Sequence, residues 1–524
     1  MVNKKPAMRI NKYLAGMTTV PIHEQIVFFN EPGIEFAHGQ VLCEPHDGLA
    51  MFGPVDLNEP SHPKNTSYAV VGTREGGQAF ELFANRLRGP IFLTENMESP
   101  RLWPAFPGFE AAFGAAWPDR PTRVVDDMDR DALLTCAEDQ DPFKRTGEVV
   151  DRYMQAIDRI CIREELLSVI ICVVPDLVYR NCRPESRVAE GVGVKVSIRE
   201  GRLQAAQAGL FNAYNPLHYR YSVDFRRQIK AMAMKHKVPI QIVRESTLRL
   251  TAPTEQDVRG LTPLCDRAWN LSVALFYKAG GRPWRLNTAR PGVCYIGIAY
   301  RLAPNTKKPN TACCAAQLFL DDGDGIVFKG EYGPWYSQAT KEFQLQKASA
   351  PKLLSGVLET YASLGGKPLT EVFLHCRSGL NDEEMAGFQA ACPSKVKLVG
   401  IRIRRASQAL RLFREGRKPV LRGIFLQGDA KFGYLWTTGF KPRLQTYDGW
   451  ETPVPYRLDI QHGEADIQQV AEDILGLTKL NYNACKLGDT APVTIGFSDA
   501  VGEILVSNPY VKAQDISPKF KFYI

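Results

Sequence analysis

Residues 225–241 read FRRQIKAMAMKHKVPIQ, and the chain is best read outward from them. Phe225, Ile229 and Met232 fall at i, i+4 and i+7, on one stripe of a helix. Arg226 and Lys230 are also four apart, so both side chains rise from a second patch of that helix. Two cations at that spacing can grip one anion through charge-assisted hydrogen bonds. Taken alone, a basic helix face is ordinary solvated surface. What gives this one meaning is its order with Gln241, eleven residues past Lys230, and with Lys278 in LFYKAGG, residues 275–281.

Upstream, residues 68–73 (YAVVGT) read as a buried strand ending in a glycine turn, and 78–87 as a helix with Phe80, Leu82, Phe83 and Leu87 apolar. Residues 149–161 read as a helix, and 167–175 (LSVIICVVP) as an apolar run of strand length stopped by proline. Strands alternating with helices argue for an α/β domain with a mostly parallel sheet. Downstream a second α/β series opens near Val293. Its predicted strands are 293–300, 315–320, 371–375, 396–403 and 433–438, with helices at 351–364 and 466–477. Residues 28–62 are rich in turn formers and read as a lead-in of strands and loops. The glycine-rich link GGRP at 280–283 marks a boundary. The expected organisation is a lead-in over 1–65, one α/β domain over 66–286 and a second over 287–524.

The composition of these 524 residues is that of a protein with large cores, at 44% hydrophobic and 23% charged. A net charge of +8 is too small by itself to name a partner, so its placement matters. Ten cations crowd into Lys395–Arg422 against the single acid Glu415. Such a run is usually solvated surface, but here its local excess rivals that of the whole chain. Arg402, Arg404, Arg405 and Arg422 are therefore candidates for nucleic-acid backbone contact, which needs no base reading. The first 19 residues lack the apolar core of a secretory signal, and no run approaches a membrane span. Twelve scattered cysteines without a C-x-x-C pair read as reduced thiols, which points to the cytoplasm. The segment DDGDG at 321–325 has the look of a calcium loop but lacks the spacing to a bidentate glutamate, and a hairpin turn between apolar runs is the simpler reading.

The order Arg226-x-x-x-Lys230, Gln241, Lys278-x-Gly-Gly resembles the 5′-phosphate pocket of an Argonaute MID domain. Segments FAHGQ (36–40), DGLA (47–50), FPGF (106–109), NTACCAAQLFL (310–320), FKGE (328–331), GEADI (463–467) and LNYN (480–483) resemble short prokaryotic Argonautes as well. The likeness runs from about residue 30 to the end. It implies a Rossmann-like MID domain followed by an RNase H-like PIWI domain, with no N or PAZ domain. It assigns Arg226, Lys230, Gln241 and Lys278 to the first guide phosphate. Ala274 stands where a second lysine is common. The likeness also implies a structural Mg2+ at the guide 5′ end, held by Gln241 and the C-terminal carboxylate of Ile524.

PIWI nucleases need clustered carboxylates to hold two metals about the scissile phosphate. Where such relatives carry a first aspartate, this chain reads IGIA with Ala299; where they carry a second, it reads Arg377-Ser378-Gly379. Asp499 is left as a relic of a later position. The resemblance therefore implies a chain that does not cut. It would use a guide RNA to sense single-stranded DNA as part of a prokaryotic defence complex. Its partner would be an APAZ protein carrying the effector, TIR with NAD depletion foremost, or a sirtuin-like or nuclease domain. The heterodimer would oligomerise on target binding. Two rivals remain at this stage: an RNase H-like guide-directed nuclease with non-standard metal ligands, and a phosphate-binding scaffold without a guide.

Overall fold

The computed structural model describes residues 25–93, 101–163, 166–184, 186, 188, 222–251, 261–302, 312–319, 325–333, 335–336, 343–363, 368–406, 410–447, 449, 451–508 and 511–524. The first 19 residues and Asp321–Asp324 of the candidate calcium loop fall outside them. The strands flanking that loop, Ala312–Phe319 and Gly325–Gly333, pair antiparallel with Phe319 opposite Gly325.

The first domain is built on four parallel strands in the order Arg123–Met128, Tyr68–Thr73, Val169–Val174, Ile240–Arg244. The two central strands are buried along their whole length, which is why they read as unbroken apolar runs. Arg123–Met128 escaped sequence reading because an edge strand needs no such run; it carries Asp126 and Asp127 and is half exposed. Helices start earlier than their apolar periodicity suggests. Thr73 caps Arg74–Arg86 by accepting from the Gly76 amide at 3.2 Å. Asp141 caps Pro142–Cys161, with proline at the first turn.

The second sheet has nine strands. From one edge inward it runs Gly325–Gly333, Ala312–Phe319, Val293–Leu302, Glu371–Cys376 and Lys397–Arg405. The first three are antiparallel, while Glu371–Cys376 runs parallel to both its neighbours. This is the 3-2-1-4-5 arrangement of an RNase H-like fold. Tyr456–His462, Phe432–Leu435, Ile424–Gln427 and finally Ile26–Phe28 extend it. The lead-in is thus divided: Ile26–Phe28 closes the edge of the large sheet, and Ile34–Glu35 pairs with both Val41–Leu42 and Arg285–Leu286.

One continuous core joins the two domains. It runs from Phe36 and Leu49 through Phe80, Trp269 and Trp284 to Ile401, Leu458 and the buried tail Phe520, Phe522, Tyr523 and Ile524. Separate clusters fill the outer face of each sheet. A buried charge cluster reinforces the lead-in. Glu31 accepts from Arg422 at 2.9 Å and from Lys479 at 3.0 Å. Burial pushes the Glu31 carboxyl upward, but Arg422 and Lys479 outweigh it and hold it at about 2. Every cysteine whose side chain is described is a free thiol. Among the described residues no helix is long and apolar enough to cross a membrane.

Candidate functional site

The helix Phe225–Ala233 begins where Asp224 accepts from the Arg227 amide at 3.1 Å. Its apolar stripe is used as expected. Phe225 meets Tyr153 edge-on at 5.2 Å, and Ile229 is fully buried beside it. The opposite patch turns Arg226 and Lys230 toward a pocket of about 340 Å³. Gln241, from the strand Ile240–Arg244, and Ile524 share its wall, together with Ala274. Four residues separated by nearly 300 positions in the chain thereby converge on one space. The tail is brought there by burial: Phe520, Phe522 and Tyr523 sit in the core, and Lys230 donates to the main-chain oxygens of Tyr523, at 3.1 Å, and Ile524.

Lys278 lies differently from expectation. It is the last residue of the helix Leu264–Lys278 and is fully buried behind the pocket rather than lining it. Its amino group has no hydrogen-bond partner. Burial, with Arg226 and Lys521 nearby, pushes it down to about 7. Lys230 is driven well below its usual range by burial, then by Arg226 and Lys278. No acidic side chain lines the pocket. Beyond the Ile524 terminus that Lys230 meets, these cations have no acidic side chain in the wall, and a multiply charged anion with several oxygens relieves the cost of holding them close together.

Three wall residues had not been singled out from sequence. Arg267 donates to the carbonyls of Thr262 (2.9 Å), Thr247 (2.6 Å) and Arg249 (2.7 Å), leaving one buried nitrogen without a partner. Tyr179 is flanked by the guanidiniums of Arg183 and Arg244, 4.6 and 4.7 Å from its ring centre. Arg244 ends the strand Ile240–Arg244, and Tyr179 lies in the short helix Asp176–Asn181 that follows Val169–Val174, beyond the carboxyl ends where α/β sheets place their ligands. That rule would have found both.

The donor set also bears on a cation. Gln241 Oε1 is buried without a partner, while its amide nitrogen donates to the Ile242 carbonyl at 3.2 Å. With an Ile524 oxygen this offers two neutral or anionic oxygen ligands to a hard cation. Such an ion fits here only with further oxygens from a bound anion, because Arg226, Lys230 and Lys278 oppose it. Among the described residues no group of three or more His, Cys, Asp or Glu could hold a metal.

A pH dependence follows from Lys278. In the free chain it is about half neutral near pH 7, and an anion beside it favours the charged form. Binding then takes up a proton, so affinity falls as pH rises through 7 toward the usual lysine range. A phosphate monoester is already a dianion above its second pKa near 6 and does not mask the effect. Affinity for a 5′-phosphorylated strand, measured by anisotropy from pH 7 to 9, should drop by up to about tenfold per unit, while a 5′-hydroxyl strand changes less.

The basic stretch is split by the fold. Arg404 and Arg405 are exposed at the end of Lys397–Arg405, and Arg402 is half-buried, donating Nε to the Arg377 carbonyl at 3.2 Å. Arg422 overturns its assignment to a nucleic-acid backbone. It is buried, paired with Glu31 and bonded to Thr478 Oγ1 at 2.6 Å, so its charge is spent inside the protein.

Ala299 is buried on Val293–Leu302, on the sheet face covered by the helix Val493–Leu505. A Cβ added at Gly502 of that helix would lie 3.9 Å from the Ala299 Cβ. Ser378 follows the strand Glu371–Cys376, and its carbonyl accepts from the Cys376 thiol at 3.0 Å. Asp499 is not a free carboxylate: Arg301 holds one oxygen at 3.1 Å and Arg377 the other at 2.9 Å. His375, pushed down to about 3 by burial, stays neutral and bonds Thr494 at 3.0 Å.

No family model and no curated protein matches the sequence. Solved structures do. Clostridium butyricum Argonaute, bound to a guide DNA and a 19-mer target DNA, is similar over 97% of this chain and 56% of its own, with 13% identity and a TM-score of 0.59. Drosophila Piwi is similar over 95% and 56%, with 13% identity and a TM-score of 0.54. A. aeolicus Argonaute is similar over 92% and 53%, with 13% identity and a TM-score of 0.51. The chain spans a little over half the length of each. At that identity the likeness is one of fold, and the fold is Argonaute-like, a Rossmann-like MID domain joined to an RNase H-like PIWI domain.

Proposed function

We propose that this chain binds a guide strand by its 5′ phosphate and uses that guide to capture a complementary target. The observation that carries the reading is the pocket. Arg226, Lys230 and the unpartnered Gln241 Oε1 converge there, the buried, unpartnered Lys278 lies behind the wall, and no acidic side chain lines the space. The 5′ phosphate is the anion in a nucleic acid that bears two charges and three free oxygens, so it suits this site better than a backbone diester. When bound, Mg2+ would supply charge to the guide phosphate, with Gln241 and Ile524 as its protein ligands.

The sequence resemblance carries the finer parts of the proposal: an RNA guide, a single-stranded DNA target, and an APAZ partner bearing a TIR, sirtuin-like or nuclease effector in a defence complex. The test of the core reading is sequential loading. Protein saturated with a 5′-phosphorylated RNA should bind the complementary single-stranded DNA and reject a scrambled one. Equal affinity for both DNAs, with or without RNA, would leave only a general polyanion binder or a scaffold.

We further propose that the chain does not cleave its target. Ala299 and Ser378 supply no carboxylate, and Asp499 is held by two guanidiniums. Guide-loaded protein given matched DNA or RNA with magnesium or manganese should leave it intact. Guide-directed cleavage that disappears on Asp499→Asn would instead establish the rival nuclease.

A further inference from the structure

Arginines gather where an RNase H-like sheet can gather carboxylates. Beside the Asp499 pair, Glu503 bridges Arg301 at 3.4 Å and Arg227 at 2.7 Å. Arg402 is tied to the Arg377 carbonyl. Arg301, Arg377 and Arg227 thus share the carboxylates Asp499 and Glu503, and Arg227 also meets Asp224 at 3.3 Å. Arg301 Nε is buried without an acceptor. The Arg377 side chain is 54% exposed, so one fork of the pair faces solvent.

We infer that Arg301 and Arg377 form a binding site for a backbone phosphodiester of the target strand. The inference rests on the guide-binding reading above and extends it to the second domain. A phosphodiester presents one negative charge on two free oxygens, which a pair of planar guanidiniums matches in geometry. Asp499 fills the same role internally, one oxygen to each arginine. An incoming diester exchanges with Asp499 at the exposed Arg377 and offers Arg301 Nε its missing acceptor. The contact is to backbone and reads no sequence, which suits a chain whose specificity comes from base pairing. Glu503 also ties Arg301 to Arg227, the neighbour of Arg226 on the pocket helix. A ladder of ion pairs thus runs between the two phosphate sites.

The sign of one substitution separates this site from a merely structural ion pair. With 5′-phosphorylated RNA loaded, Asp499→Asn removes the internal competitor and should tighten binding of complementary single-stranded DNA by about threefold or more. A structural pair predicts weaker binding. Arg377→Gln should weaken target binding by about tenfold and lower its dependence on salt. A series of targets, each with one methylphosphonate linkage, leaves the protein unaltered. One linkage should cost the unmodified protein about tenfold and cost Arg377→Gln almost nothing. Guide loading is measured first in every variant. Normal loading with target affinity indifferent to all three changes overturns this site alone. Failure of the unmodified protein to load a guide overturns the reading beneath it and this site with it.

Discussion

Lys230→Ala combined with Lys278→Ala should weaken binding of a 5′-phosphorylated guide by at least about tenfold and leave a 5′-hydroxyl guide almost unaffected. Each charge-assisted hydrogen bond lost costs roughly 1.5–3 kcal/mol, and about 1.4 kcal/mol is one decade in affinity. Loss of the Lys230 bond alone reaches about one decade, and loss of the buried Lys278 charge behind the wall adds to it. General attraction to backbone would weaken both guides alike, so the difference between guides isolates the end pocket. Loss of fold is separable as well. Lys278 is fully buried with no partner, so Lys278→Met should hold or raise the unfolding midpoint while lowering phosphate affinity. Lys230 also fastens the tail through the Tyr523 and Ile524 oxygens, and Lys230→Ala should loosen that segment in hydrogen exchange. Equal losses for both guides would remove Lys230 and Lys278 from recognition of the 5′ phosphate. Exposed Arg404 and Arg405 provide the contrast: neutralising them should weaken both guides and reduce the salt dependence.

Glu31→Gln should destabilise the protein by about 3–5 kcal/mol, because it strands two buried cations, Arg422 and Lys479, without their counter-charge. Urea denaturation followed by tryptophan fluorescence would read the loss. The sign of its pH dependence is fixed by Glu31. The carboxyl is held at about 2, below its ordinary 4.5, so the unfolded chain binds the proton more readily. The stabilisation is complete above the ordinary value and is lost as pH falls from there through about 2. The gap between the original protein and Glu31→Gln should narrow on acidification. Arg422→Gln should likewise lower stability and leave the salt dependence of nucleic-acid binding unchanged. A normal unfolding midpoint with weaker nucleic-acid binding would return Arg422 to the interface.

Sequence reading recovered what periodicity and local order encode. The helix around Arg226 and Lys230 showed in its apolar stripe, and the central strands Tyr68–Thr73 and Val169–Val174 in their apolar runs. It missed what depends on distant partners. Ile26–Phe28 is only three residues long and is a strand because Ile424–Gln427 lies beside it. Arg422 looks like any cation in a basic run until Glu31, 391 positions away, is folded against it. Lys278 was singled out from the motif around it, but its depth behind the pocket wall reflects packing of the whole Leu264–Lys278 helix in the shared core. Arg301 and Arg377 likewise gained meaning only when Asp499 stood between them.

The most direct test of the central claim is the affinity of the unaltered protein for one single-stranded RNA sequence carrying either a 5′ phosphate or a 5′ hydroxyl, at physiological salt and pH 7. A pocket lined by Arg226, Lys230 and Gln241, with Lys278 buried behind it, predicts a preference of at least about tenfold for the phosphate. Equal affinity for the two ends would contradict it.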